Sequence, residues 1–270
     1  MKPAQALLVA WTIATLLFLY VPVAVLIGYS FNDSALNIVW QGFTTKWYVA
    51  IWNDRSLLHA LSNSLVVAGA STALSVLLGT AAGYLLHRYA YPGGRMLQTL
   101  MLVPMIVPEV ILGVSLLILF VAAGVELGFL TLVLSHVTFC FPFVMVAVQA
   151  RLARIDPTLM EAALDLGATP SRAFRKVLLP DLMPAIVAGG LLSFSLSLDE
   201  LIVSYFTASA SSRTLPIEIF GRIRKGLDPT LNAISTVMIV TTAALVVAAE
   251  LLRRRDSSGS VQTTREESAE

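Results

Sequence analysis

Charge is scarce in this sequence. Only 13% of its 270 residues are Asp, Glu, Lys or Arg, about half of what a soluble domain carries, while 57% are hydrophobic. That balance excludes an ordinary soluble globular domain. The formal net charge of +1 leaves no basic excess of the kind that nucleic acid or an anionic membrane surface would attract. A single cysteine, Cys140, rules out an intramolecular disulfide, and His59, His87 and His136 are scattered without metal-ligand spacing. No G-x-x-x-x-G-K-[ST] segment occurs, so ATP is not held here by a phosphate loop, and no cofactor of this chain is expected. A membrane-embedded enzyme would need a clustered His, Cys or Ser constellation, and a secondary transporter commonly shows inverted repeats; neither pattern is evident.

What the sequence has instead is long apolar runs. A helix crossing about 30 Å of hydrocarbon at about 1.5 Å per residue needs roughly 20 mainly apolar residues. Six segments meet or nearly meet that test. Those over 6–27, 60–86 and 231–249 are uncharged, 96–123 holds only Glu109, 127–148 holds only His136, and 184–206 holds Asp199 and Glu200. In lipid only helices satisfy the backbone of such runs, which predicts an all-α membrane protein of six transmembrane helices. The first run closes on no small-residue cleavage pattern and is expected to remain as a helix. Gly79 and Gly83, four apart, and the pair Gly189 and Gly190 predict close helix approach.

Positively charged loops stay on the cytoplasmic side. Lys2, Arg88, Arg95, Arg151, Arg154, Arg172, Arg175, Lys176 and Arg253 to Arg255 fall on one face of a six-span topology. This predicts both termini in the cytoplasm, a transmembrane domain over 1–255 and a disordered cytoplasmic tail over 256–270. Arg213, Arg222, Arg224 and Lys225 fall on the other face; span parity outweighs them, and they read as a solvated surface segment.

The loop over 151–182 is far longer than a helix hairpin needs. Asp156 and Pro157 give a helix start, and Gly167 a left-handed stop. Thr169 and Pro170 repeat the start, and Pro180 is expected to end the second short helix. Leu164, Phe174, Val177 and Leu178, set among Arg172, Arg175 and Lys176, are expected to form an exposed surface that a soluble partner covers.

Glu161, Ala162 and Ala163, then Gly167, then Val177 to Pro180, resemble the EAA loop of binding-protein-dependent ABC importer permeases of the type I (MetI-like) fold. The resemblance implies a subunit that catalyses nothing itself. It also implies coupling helices, with Glu161, Ala162, Ala163, Gly167, Phe174 and Pro180, that dock on ATPase subunits. Two such ATPases would hold ATP and Mg²⁺, a second permease subunit, expected to be a paralogue, would complete the pore, and a periplasmic binding protein would deliver the solute. The location implied is the bacterial inner membrane. A wider likeness runs from Tyr29 to Asn32, through Trp40 to Tyr48 and Ser135 to Cys140, to Ser197 to Glu200. These tracts resemble spermidine/putrescine permeases, although permeases for ferric iron, aminoethylphosphonate and other solutes share parts of them.

The charged residues within the spans make an independent argument. A carboxylate inside a membrane is costly by at least about 2.5 kcal/mol and marks a functional candidate. Glu109 lies about 20 Å along the third run and Asp199 and Glu200 about 23 Å along the fifth, so they could meet in the outer half of the bilayer, beside Pro104 and Pro108. A cavity with carboxylates and no basic partner suits a cation. Glu109 and Asp199 are the leading pair, with Glu200 and Tyr29 as further path candidates. The alternatives are a bond from Glu109 to a backbone group or to a partner subunit, and a helix-end role for Asp199 or Glu200. His136 and Cys140 read as packing residues. Tyr20, Tyr29 and Phe31 read as interfacial anchors or as an aromatic lining for an ammonium group.

Overall fold

A computed structural model describes residues 3–34, 39–89, 92–156, 158–226 and 229–247. Lys2, Pro157, Arg253 to Arg255, the end of the sixth apolar run and the tail over 256–270 lie outside the described residues. The helices are α1 (Pro3–Tyr29), α2 (Lys46–Asn53), α3 (Arg55–Arg88), α4 (Gly94–Ile106), α5 (Glu109–Ala122), α6 (Phe129–Leu152), α7 (Thr158–Asp165), α8 (Pro170–Ala173), α9 (Leu179–Asp199), α10 (Ile202–Thr207) and α11 (Leu215–Lys225), then α12 (Thr230–Val247). Among the described residues, extended pairing is limited to one bridge between Asn32 and Phe43. Five helices are long and apolar enough to cross a membrane, and α4 with α5 makes a sixth if that bent pair counts as one span.

Two apolar runs depart from the expected continuous spans. The third breaks between α4 and α5 with a bend of 109°. Val107 and Pro108 there are extended, at ψ 131° and ψ 133°. Pro108 disfavours helical backbone at the residue before it and donates no N–H, which is why the run does not continue as one rod. The fifth run begins earlier than expected: helix reaches from Pro170 to Asp199, so Pro180 does not end the second loop helix. A widened turn, Phe174–Leu178, absorbs Pro180. Its last bond runs from the Leu179 N–H to the Phe174 carbonyl, five residues back, and this wider spacing relieves the clash a proline makes with the carbonyl four residues before it. The helix then stops at Asp199, and a separate short helix, α10, follows.

The chain groups into two compact units: the described residues up to His59 with Glu218–Thr241, and Ala60–Ile217 with those from Thr242 on. In the first, most of the apolar side chains of α1 are exposed among the described residues, as those of a helix facing lipid or another membrane chain must be. The segment after α1 is knotted around Asn32. Its amide donates to the Val39 carbonyl (3.0 Å) and accepts from the Gln41 N–H (2.8 Å), and the Trp47 indole donates to the Asn32 carbonyl (2.8 Å). Phe31 stacks on Phe43 at 5.3 Å. At the start of α3, Asp54 caps the helix by accepting from the Ser56 and Leu57 N–H groups. The Arg222 guanidinium bonds Asp54 at 2.7 Å and Glu218 at 3.2 Å, and that of Arg224 lies 5.2 Å from the Phe220 ring. Of the basic residues that opposed the charge rule, Arg222 is therefore neutralised within its own unit.

The second unit is built on α6 against α9. Val144, Val148, Leu152, Leu178, Leu182 and Ile186 form one core, and Leu116, Phe120, Phe139, Cys140 and Val203 another. In lipid the apolar transfer term between helices vanishes, so close fit and internal hydrogen bonds must hold such a bundle. The glycines supply the fit, as expected: a Cβ at Gly189 would lie 3.1 Å from the Val144 Cα, and one at Gly83 3.1 Å from the Met145 carbonyl oxygen.

Candidate functional site

The loop between α6 and α9 is organised by local chemistry. The Asp156 carboxylate accepts from the Thr158 N–H (2.9 Å) and hydroxyl (2.8 Å), and these bonds hold it below the usual carboxylate range. Two residues past the end of α7, Gly167 takes a left-handed backbone at φ +82°. The Ala168 N–H donates to the Ala163 carbonyl (3.0 Å) and the Gly167 N–H to that of Leu164 (2.9 Å), a closed pair of bonds that needs the left-handed residue. The Thr169 hydroxyl then accepts from the Arg172 N–H, starting α8.

The exposed face of this loop differs from the expected one. Leu178 is buried, at 5% exposure, in the α6–α9 core, and Phe174 is half-buried with its ring 5.0 Å from that of Tyr84. The wide turn rotates both inward. Leu164 and Val177 are half-buried, and the apolar side chains left open are Leu166, at 89% exposure, and Leu159, at 42%, neither of which was expected from the sequence. Leu166 directly precedes the Gly167 stop, and that position could have marked it. Glu161, Ala162 and Pro180 are exposed and Ala163 is half-buried. Glu161 borders a cavity of about 380 Å³ together with Tyr84, His87, Arg88, Asp156 and Met160.

The second candidate lies where the two broken spans adjoin. Glu109 opens α5 directly after Pro108, so its position is set by the break and not by distance along a rod. After Asp199, Glu200 is extended (φ −70°, ψ 115°), and its carboxylate accepts from the Val203 N–H at 2.7 Å, capping α10. Glu109 and Glu200 line one cavity of about 410 Å³ with Pro104, Pro108, Phe139 and Phe143, and among the described residues no Lys, Arg or His lines it. The pair that shares the cavity is thus Glu109 with Glu200, not Glu109 with Asp199. Asp199 accepts from the Thr242 hydroxyl at 3.1 Å instead. Tyr29 belongs to the other unit, where its ring stands edge-on to Trp40 at 6.3 Å.

His136, read from sequence as a packing residue, is buried and polar-bonded at both ring nitrogens. Nδ1 is 2.6 Å from the Ser197 Oγ and Nε2 is 2.8 Å from the Ser204 Oγ. Cys140 and Ser193 exchange bonds across α6 and α9, the Ser193 hydroxyl donating to the Cys140 carbonyl at 3.2 Å. The signal in the sequence was the serine spacing, with 193, 195 and 197 on one segment and 204 past the break. Among the described residues, no group of three or more His, Cys, Asp or Glu is placed to hold a metal ion.

Long apolar helices, two interrupted spans adjoining at paired carboxylates, and a capped helical loop between α6 and α9 define a multi-pass membrane permease. The chain belongs to the family described as "Binding-protein-dependent transport system inner membrane component", which matches residues 75–255. It is 43% identical to the spermidine/putrescine transport system permease protein PotC of Escherichia coli (strain K12), over 83% of this chain and 84% of that one. It is 40% identical to the putrescine transport system permease protein PotI of the same strain, over 85% of each. The fold matches a crystal structure of a bacterial ABC transporter involved in import of the acidic polysaccharide alginate, with TM-score 0.71 at 17% identity over 93% of this chain and 95% of that one. The fold is that of type I ABC importer permeases, and the chain is a transmembrane subunit of such an importer.

Proposed function

We propose that this subunit imports polyamines, and that Glu109 and Glu200 form the cation-attracting part of its path. The observation that carries the reading is the cavity with two carboxylates and, among the described residues, no basic lining residue. Carboxylates there replace part of the hydration of an ammonium group, while the number of contacts stays small enough for release. The names of the relatives at 43% and 40% identity support the same cargo.

In this reading both termini lie in the cytoplasm. The loop with Glu161, Ala162, Ala163, Gly167, Phe174 and Pro180 docks on an ATPase subunit, one of two in the importer that bind ATP and Mg²⁺. A paralogous second permease completes the pore, and a periplasmic binding protein delivers the polyamine. Leu166, not Leu178, is the apolar contact of that docking face.

The test is uptake of radiolabelled spermidine and putrescine by vesicles holding the whole importer. Glu109→Gln and Glu200→Gln should raise KM by about tenfold or more, the loss of one charge-assisted hydrogen bond, with assembly intact. Asp199→Asn should have a smaller effect. Wild-type uptake at subsaturating polyamine in both glutamine variants would show the carboxylates to be structural, and transport without ATP would refute the importer mechanism.

A further inference from the structure

The break that carries Glu200 has a polar brace. Helix α9 ends at Asp199, Glu200 is extended, and α10 begins at Ile202. The two helices on either side of the break are bonded by one side chain that belongs to neither. His136, on α6 and fully buried, reaches Ser197 on α9 at 2.6 Å and Ser204 on α10 at 2.8 Å. Both serines are buried as well, and the Ser197 hydroxyl also meets that of Ser71 on α3 at 3.0 Å. Four segments therefore share one hydrogen-bonded chain centred on the imidazole.

The chemistry of the ring suits a brace. A hydroxyl can donate or accept, so whichever ring nitrogen carries the proton, the serine opposite it takes the complementary part. A hydrocarbon of similar size would leave both serines without this partner in a site that excludes water, the condition in which a missing bond is most costly. Phe139, one of the residues lining the carboxylate cavity, packs against the same ring at 5.3 Å. The imidazole thus ties the two sides of the break together without lining the cavity, while Glu200 lines it.

We propose that His136 is a positioning residue for transport: by bonding Ser197 and Ser204 it sets the geometry of the break and holds residue 200 at the wall of the cavity opposite Glu109. This rests on the reading of that cavity as the cation path. His136 does not touch the cargo.

Two measurements on the assembled importer test it. The first needs no substrate: the thiol introduced by Glu200→Cys, in a Cys140→Ser background, is modified with an aminoethyl methanethiosulfonate, with and without His136→Phe. The modification rate should shift by about fivefold or more, the equivalent of one net hydrogen bond, and His136→Gln, whose amide both donates and accepts, should restore much of it. The second is spermidine uptake with Glu200 intact, where His136→Phe should raise KM by a similar factor at unchanged maximal ATP hydrolysis. An unchanged modification rate, or a shift that His136→Gln does not reverse, overturns the inference. A reversible shift with wild-type KM sustains the brace and overturns instead the assignment of the cavity to the path.

Discussion

A Cβ placed on Gly79 would lie 2.7 Å from the Val144 Cβ, and also 2.8 Å from the Phe141 carbonyl oxygen and 2.9 Å from the Met145 N. Two of those three neighbours are backbone, so a side chain at 79 forces α3 away from α6. Gly79→Ala should destabilise the subunit by about 1–3 kcal/mol, in the range of overpacked cores. Gly28→Ala, with nothing within 4 Å of the added carbon, should be close to neutral. Thermal unfolding in detergent measures both; equal midpoints would mean that the contact at Gly79 is not tight in the folded protein.

Gly167 sits at φ +82° with open space around it, so a side chain there meets backbone strain and not a clash. Gly167→Val should cost about 1–2 kcal/mol locally and displace the α7 stop. Membrane insertion should be normal and substrate-stimulated ATP hydrolysis by the complex reduced several-fold. Wild-type stimulation would separate this turn from coupling.

Glu161 and Leu166 are both open to solvent on the loop. Glu161→Lys and Leu166→Ser should each lower co-purification of the ATPase, by about fivefold or more for the apolar contact if it is buried on docking, and leave subunit yield unaltered. Phe174→Ser should instead lower the subunit's own stability, because its ring packs on Tyr84. Retention of the ATPase at wild-type yield in the first two variants would move the docking surface elsewhere.

Burial by itself would raise the Asp54 carboxyl, but the Arg222 guanidinium and the N–H groups of Leu57 and Ser56 outweigh it and hold it below its ordinary value. A group depressed in the folded state adds stability above its unfolded pKa and loses it as pH falls through the folded one. Asp54→Asn should therefore cost about 1 kcal/mol at neutral pH, kept small by partial exposure. The gap to wild type should close as pH drops below about 4. A gap that persisted undiminished at pH 3 would mean that shape rather than charge at residue 54 accounts for it.

The long apolar runs, the Gly167 stop and the close approaches at Gly79 and Gly189 were legible because each depends on a local rule: length, left-handed backbone, or a missing side chain. The break at Val107 and Pro108 was half legible. Both prolines were visible, but whether a proline bends a helix or ends it depends on what neighbouring segments offer the freed backbone groups. Pro180 was misread for the same reason, since a widened turn at Phe174–Leu178 satisfies the chain without stopping it. That turn also carries Leu178 into the core, while Leu166, in the separate turn before Gly167, stays outside. Choosing Glu200 over Asp199 required the α9 terminus, because adjacent residues diverge once the helix stops between them. The His136 brace joins positions 61 and 68 residues apart, a separation no periodicity reports.

The unbroken helical path from Pro170 to Asp199 has a mechanical consequence. Thirty residues at about 1.5 Å each make a rod of roughly 45 Å. If such a rod pivots near its middle by about 5°, each end is displaced by about 2 Å, in opposite senses. A shift of that size at Pro170, beside the loop, thus arrives at the residue preceding Glu200 at nearly full amplitude, with no intervening joint except the widened turn at Phe174–Leu178. The length and stiffness of this segment make it a lever, and the compliance of that single turn sets how much of the stroke is lost on the way.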